Sequence, residues 1–82
     1  MDVREEINRI ARQSEERYGP YTSSHEAFGV LAEEVSELLD AIRENDCAGV
    51  RDEAIDVAAV ALRLAEVVDS SFRGFHERSG FK

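Results

Sequence analysis

Apolar residues recur at helical spacing along most of the chain, and this pattern predicts α-helices and no β-strand. The first helix is expected from about Asp2 to Arg17, with Asp2 as its N-cap. It ends before Pro20, because proline cannot continue a helix and restricts the residue before it. Its apolar stripe is narrow and consists of Val3, Ile7, Ile10, Ala11 and Ser14.

The second helix is predicted to begin with a capping box, in which Ser23 is the cap and Glu26 reaches back. Its apolar face consists of Phe28, Leu31, Val35, Leu38, Leu39 and Ile42. We expect Phe28 in the core rather than at a base-stacking position. The polar residues 44–46 predict a turn at the end of this helix.

The third helix is predicted from about Ala48 to Asp69. Alanines 54, 58, 61 and 65 lie at helical spacing and would let a neighbouring helix approach closely. We expect residues 1–82 to form one domain, with 70–82 as a short or flexible C-terminal tail. The fold class is therefore all-α, a helical hairpin plus an N-terminal helix. Since 82 residues bury little surface, we expect a four-helix-type bundle in a homodimer or homotetramer.

Two pairs of carboxylates are placed symmetrically about the predicted turn. Glu34 and Glu37 precede it, and Glu53 and Asp56 follow it. A three-residue step on a helix turns back by only about 60°, so each pair projects from one side of its helix. The two pairs are centred at equal distances from Asn45, so an antiparallel hairpin folded there places them at matching heights.

Most charge clusters are solvated helix faces, and this is the alternative to a metal site. A solvated face commonly mixes signs, but no basic residue lies within four positions of Glu33, Glu34 or Glu37. Converging carboxylates favour a hard cation such as Mg²⁺, Mn²⁺ or Ca²⁺. The chain has no calcium-loop pattern and no Glu-x-x-His pair of a di-iron site. Mg²⁺ is the first choice, with Mn²⁺ as a substitute.

The composition of the chain limits the classes of partner and the cellular compartment that we expect. The net charge of −8 argues against a nucleic-acid polymer as partner, since such proteins normally have a basic face. A single cysteine, Cys47, excludes an internal disulfide and fits a reducing compartment. With no signal sequence and no long apolar run, we expect a cytoplasmic protein without membrane contact.

The two acidic motifs, Glu33-Glu34-Val35-Ser36-Glu37 and Glu53-Ala54-Ile55-Asp56, resemble those of a known family. With the flanking segments 19–27 and 57–63, they make the chain similar, over about residues 10 to 68, to the MazG-like all-α nucleoside triphosphate pyrophosphohydrolases.

The resemblance implies an activity and a set of roles. Glu34, Glu37, Glu53 and Asp56 would bind Mg²⁺, and Glu33 would assist a further metal ion or orient the attacking water. The family hydrolyses (deoxy)nucleoside triphosphates between the α- and β-phosphates, giving monophosphate and pyrophosphate. Nucleotide-pool cleansing is the role that this activity suggests.

Arg63, His25 and Tyr21 are the main further candidates for substrate contact, and Arg12 and Tyr18 are secondary ones. Arg63 lies two helical turns beyond Asp56 and could reach a phosphate, or it is a surface residue paired with Glu66 or Asp69. His25 and Tyr21 precede the metal-binding helix and could contact the base or sugar, or serve in capping and packing.

Two other functions stay open from the sequence. One is a non-catalytic helical interaction protein that keeps the acids as a structural cation site. The other is an enzyme like phosphoribosyl-ATP pyrophosphohydrolase, which resembles this family.

Overall fold

The computed structural model describes residues 1–74, with side chains through Asp69, and contains three α-helices. They are α1 (Val3–Tyr18), α2 (Ser24–Arg43) and α3 (Cys47–Gly74). No β-strand occurs within residues 1–74, so the predicted all-α fold is confirmed. None of these helices, as far as residue 74, has an apolar stretch that could span a membrane.

α3 continues beyond Asp69, where the apolar pattern placed its end. Its backbone is helical to Gly74, since residues 70–73 include no glycine or proline that would end the helix. The predicted tail therefore begins within a helix. Its remaining part, residues 75–82, lies outside the described residues.

The caps of α1 and α2 explain where these helices begin. The Asp2 carboxylate accepts the Glu5 N–H at 2.8 Å, and the Glu5 carboxylate accepts the Asp2 N–H at 3.2 Å. Ser23 caps α2, because its Oγ accepts the Glu26 N–H at 3.0 Å. The predicted return bond from Glu26 to Ser23 is wrong. Glu26 Oε1 instead accepts the N–H and the hydroxyl of Thr22, at 2.7 and 3.0 Å, because Thr22 offers two donors to one oxygen.

A tight turn joins α2 to α3. Asn45 has a φ of 57°, in the left-handed region that asparagine tolerates better than most residues. Asp46 then caps α3, because its carboxylate accepts the Gly49 N–H at 3.0 Å. The turn thus reverses the chain at the residue about which the two carboxylate pairs are symmetric.

α3 packs against both other helices, more extensively against α2 than against α1. The buried apolar residues are mostly small, so the core of the described residues is thin. They are Ala11, Tyr21, Ala27, Ala41, Ile55, Ala59 and Val60.

A second apolar stripe on α2 faces away from this core. Phe28 is 66% exposed, so the expectation that it lies in the core is wrong. The reason is a one-residue offset, since Ala27, Leu31 and Ala41 face the other helices instead. We call the exposed set the α2 outer stripe, and it consists of Phe28, Ala32, Val35, Leu39 and Ile42.

The alanine row of α3 is also largely open to solvent. Ala54, Ala61 and Ala65 are exposed, and Ala58 is half-buried. The close helix contact expected along this row is therefore not made by α1 or α2 within residues 1–69.

Candidate functional site

The hairpin brings acidic side chains of α2 and α3 together, as the symmetric spacing predicted. Carboxylate oxygens of Glu34, Glu37 and Glu53 lie within 4.8 Å of one another. Asp56 adjoins this group through a hydrogen bond with Glu34. We call these four residues the acidic cluster.

Among the four acids, Glu34 has the most strongly shifted pKa. Its burial raises its pKa to about 7, helped by a hydrogen bond with Glu37 and by the charges of Asp56, Glu37 and Glu53. Each of these effects disfavours the ionised carboxylate. In the absence of a cation, Glu34 is therefore only partly ionised near neutral pH.

The pKa values of the two acids of α3 are also raised. Burial is the largest cause that raises the pKa of Glu53, followed by its hydrogen bond and charge interaction with Glu37. Burial also raises the pKa of Asp56, although the hydrogen bond with Glu34 acts in the opposite direction. The cluster thus brings together acidic groups whose ionised forms are all disfavoured.

A divalent cation fits this arrangement. Glu53 Oε2 is buried without a hydrogen-bond partner, which is costly for a carboxylate oxygen in a protein interior. A hard cation would supply the missing partner and neutralise the repulsion among the acids. The donors are all carboxylate oxygens, which suit Mg²⁺ or Mn²⁺ better than softer metals.

A cavity of about 410 Å³ extends from the acidic cluster toward α1. Glu34 and Asp56 lie in its wall, which is otherwise mainly apolar and includes Val30, Ala59 and Val60. Its volume lies within the range of small-molecule sites, roughly 300–1,000 Å³. Two acids of the acidic cluster therefore border a mainly apolar cavity.

Arg63 lies in the same wall and is 6% exposed. Its guanidinium donates to Glu15 Oε1 at 3.1 Å, to the Tyr21 hydroxyl at 3.1 Å and to the Gly19 carbonyl at 2.9 Å. It also stacks on the Tyr21 ring, 4.1 Å from the centroid. The alternative of a surface arginine is therefore wrong, because the α1–α2 loop covers this side chain.

The other predicted residues are placed differently. Tyr21 is buried in the cavity wall, and burial raises the pKa of its hydroxyl although the charge of Arg63 lowers it. His25 is exposed in the first turn of α2 and is not part of that wall. Glu33 is exposed and lies outside the group of three acids whose oxygens converge.

The lining of the cavity by Ile10 and Ser14 of α1 was not anticipated, because the sequence indicated only packing for both. Tyr18, a secondary candidate for substrate contact, lines the cavity with them. Their positions at steps of four along α1 place them on one helix face, which is the signal that the sequence offered. Nothing in that spacing shows that the face borders a cavity.

Comparison with known protein families identifies the family of the chain that carries the acidic hairpin. The model of the MazG nucleotide pyrophosphohydrolase domain matches residues 22–77. The chain belongs to this family. As a MazG domain it has a nucleotide pyrophosphohydrolase-type function, and the family generally uses a divalent metal ion. No curated protein and no solved structure matches the chain.

The start of the matched range separates α1 and the loop after it from the acidic hairpin. The range starts at Thr22 and includes all four acids, whereas α1 and the residues Gly19, Pro20 and Tyr21 precede it. Part of the cavity wall is therefore built by residues outside the match.

Proposed function

We propose that this MazG domain is a Mg²⁺-dependent pyrophosphohydrolase of (deoxy)nucleoside triphosphates, with Mn²⁺ as a substitute. Water and the triphosphate would give a nucleoside monophosphate and pyrophosphate, by cleavage between the α- and β-phosphates. The observation that carries the proposal is the acidic cluster at one end of a mainly apolar cavity. Such a site can place phosphates at the acids and the nucleoside in the cavity.

The four clustered acids are proposed as metal ligands. Bound Mg²⁺ would neutralise phosphate charge and increase the acidity of a coordinated water. Glu34 and Asp56 also lie in the cavity wall, so they would align the phosphates with the nucleoside. The orphaned oxygen of Glu53 supports its assignment as a ligand.

Glu33 is proposed to orient the attacking water or to assist a further metal ion. Its exposed carboxylate follows the family pattern and has room to accept the proton that the water loses. When the water oxygen bonds to phosphorus, the bond from that phosphorus to the bridging oxygen breaks, and the electron pair leaves with the bridging oxygen.

Substrate contact by Arg63, Tyr21 and His25 is also part of the proposal. Arg63 and Tyr21 line the cavity, which supports their contact with the sugar or phosphates. His25 would contact substrate from the exposed start of α2. A cytoplasmic location and a role in nucleotide-pool cleansing follow from this activity, since the cytoplasm holds the nucleoside triphosphates.

A homodimer or homotetramer completes the proposal. Phe28, Val35, Leu39 and Ile42 of the α2 outer stripe are 43–66% exposed, while the core of the described residues is built largely from alanine. The stripe has alternating steps of four and three residues, the spacing of helix–helix seams in bundles. Packing two hairpins through this face would form a four-helix core.

The activity is tested by measuring pyrophosphate release from a panel of deoxynucleoside and ribonucleoside triphosphates with Mg²⁺. We expect release from at least one substrate. Glu53→Gln should lower the rate at least about a hundredfold, because it removes the charge of a proposed ligand. The matched control is Asp52→Asn, the adjacent exposed acid, which should keep wild-type activity.

Two outcomes would contradict the proposal. Absence of pyrophosphate from every substrate, with Mg²⁺ binding retained in calorimetry, would favour a non-catalytic protein with a structural cation. Equal activity in Glu53→Gln and Asp52→Asn would remove the acidic cluster from the reaction.

A further inference from the structure

The loop between α1 and α2 forms one side of the cavity. Gly19, Pro20 and Tyr21 all line it. Among the residues that the structure describes, backbone donors hold the loop only at its ends. The Gly19 N–H donates to Glu15 O at 2.8 Å, and the Thr22 N–H donates to Glu26 Oε1 at 2.7 Å. Pro20, between them, has no N–H to contribute.

Arg63 of α3 binds this loop at Gly19 and Tyr21. Its three hydrogen bonds reach the Gly19 carbonyl, the Tyr21 hydroxyl and the Glu15 carboxylate, and its plane lies against the Tyr21 ring. A buried guanidinium is costly unless several partners satisfy it, so these contacts fix its position. All three partners precede residue 22, where the family match begins.

The same helix links this network to the acidic cluster. Arg63 and Asp56 are seven residues apart on α3, about 10 Å along one helix face, with Ala59 and Val60 of the cavity wall between them. A rigid helix therefore sets the distance between the loop and the proposed metal ligands.

We propose that Arg63 is a positioning residue that holds the α1–α2 loop in place and so shapes the cavity for the nucleoside end of the substrate. This inference rests on the proposed function and extends it, since it assigns Arg63 an action through Gly19 and Tyr21 in the free protein. Loss of the network loosens the loop and weakens substrate binding, while the acids of α2 and α3 keep their places.

Kinetics and amide hydrogen exchange test this role together. Arg63→Met should raise KM about tenfold, the loss expected for hydrogen bonds to a charged group, with a much smaller change in kcat. Tyr21→Phe removes only the acceptor hydroxyl and should raise KM about threefold. Both variants should exchange faster over residues 19–22 without substrate, and both should bind Mg²⁺ within about twofold of wild type.

The matched control is Arg51→Met. Arg51 also lies on α3 and pairs with a glutamate of α1, Glu6, at 2.6 Å, but it is exposed and does not line the cavity. This variant should keep the KM and the loop exchange of wild type.

Exchange and kinetics separate the positioning role from its alternatives. If Arg63→Met raises KM while loop exchange stays at the wild-type rate, Arg63 acts through substrate contact alone and the positioning role is overturned. If Arg63→Met does not fold, Tyr21→Phe decides, and wild-type KM and exchange in that variant would overturn it. Absence of hydrolysis in wild type would overturn the proposed function alone, because the exchange measurement needs no substrate.

Discussion

At Glu34, three physical effects increase the affinity of one carboxylate for its proton. Burial is the largest, the hydrogen bond with Glu37 comes next, and repulsion from the neighbouring acids adds to both, so that the pKa rises to about 7. The folded chain therefore binds this proton more tightly than the unfolded chain does. A metal ion would reverse the balance, because it binds the ionised form.

This shift predicts how stability depends on pH without metal. Glu34 contributes stability that is fully present below its ordinary pKa of 4.5 and is lost as pH rises through about 7. Because Glu34 is only partly buried, solvent screening reduces the effect, and in EDTA the free energy of unfolding should fall by on the order of 1–2 kcal/mol between about pH 5 and about pH 8. Urea titrations at a series of pH values measure this change.

The control for this prediction is Glu34→Gln, which cannot ionise and should show a flatter pH dependence. Saturating Mg²⁺ should raise wild-type stability most at the upper end of the pH range, where the acids are ionised. A wild-type curve parallel to that of Glu34→Gln would show that Glu34 does not carry the effect.

At the level of the elements, the turn residue Asn45 sets the pairing of α2 and α3. Its φ of 57° penalises most side chains, and β-branched ones most. Asn45→Val should therefore lower the free energy of unfolding by about 1–2 kcal/mol, whereas Asn45→Gly should change it little. Thermal or urea unfolding with Mg²⁺ present measures both.

A matched substitution isolates the effect of the turn. Asn8→Val makes the same exchange at an exposed position of α1 and should cost only a few tenths of a kcal/mol. Equal destabilisation by Asn45→Val and Asn8→Val would mean that the left-handed turn is not limiting.

The helices and the acid register are predictable from sequence because local rules determine them. Asp2 and Ser23 are capping residues at the start of apolar periodicity, and the symmetric spacing about Asn45 brings the acid pairs together. These features depend on residues within one or two turns of each other, or on one tight turn.

The features that the sequence did not predict depend on which surfaces of the helices and loops pack against each other. Phe28 and Leu31 both belong to the apolar side of α2, and only the position of α3 decides that Leu31 faces inward and Phe28 outward. Arg63 is buried because a distant loop folds over it, which its neighbours on α3 do not indicate. Glu26 accepts a hydrogen bond from Thr22 instead of Ser23. The capping-box pattern does not distinguish between donors on these two adjacent residues.

For the molecule as a whole, the α2 outer stripe predicts self-association. Leu39→Glu places a charge within this stripe, where Leu39 is 43% exposed in the single chain. We expect the variant to be a monomer in light scattering under conditions in which wild type is a dimer or tetramer, because burying an unpaired carboxylate in a helix seam is costly.

Gln13→Glu is the charge-matched control, since it adds one negative charge on an exposed position of α1. It should keep the wild-type mass. A wild-type monomer at all concentrations, or an unchanged oligomer in Leu39→Glu, would contradict assembly through this face.

The one-residue offset between the two apolar stripes of α2 also bears on how this helix can evolve. Glu34 faces the cluster, and Val35, the next residue, belongs to the outer stripe. A deletion of one residue just before Glu34 would turn the rest of the helix by about 100° and put valine in place of the acid. Substitutions at exposed positions such as Ser36 leave the acidic cluster and the α2 outer stripe intact. Insertions and deletions within α2 disrupt the acidic cluster and the α2 outer stripe together. Length variation among descendants of this chain is therefore expected in its loops and termini, and α2 should keep its length.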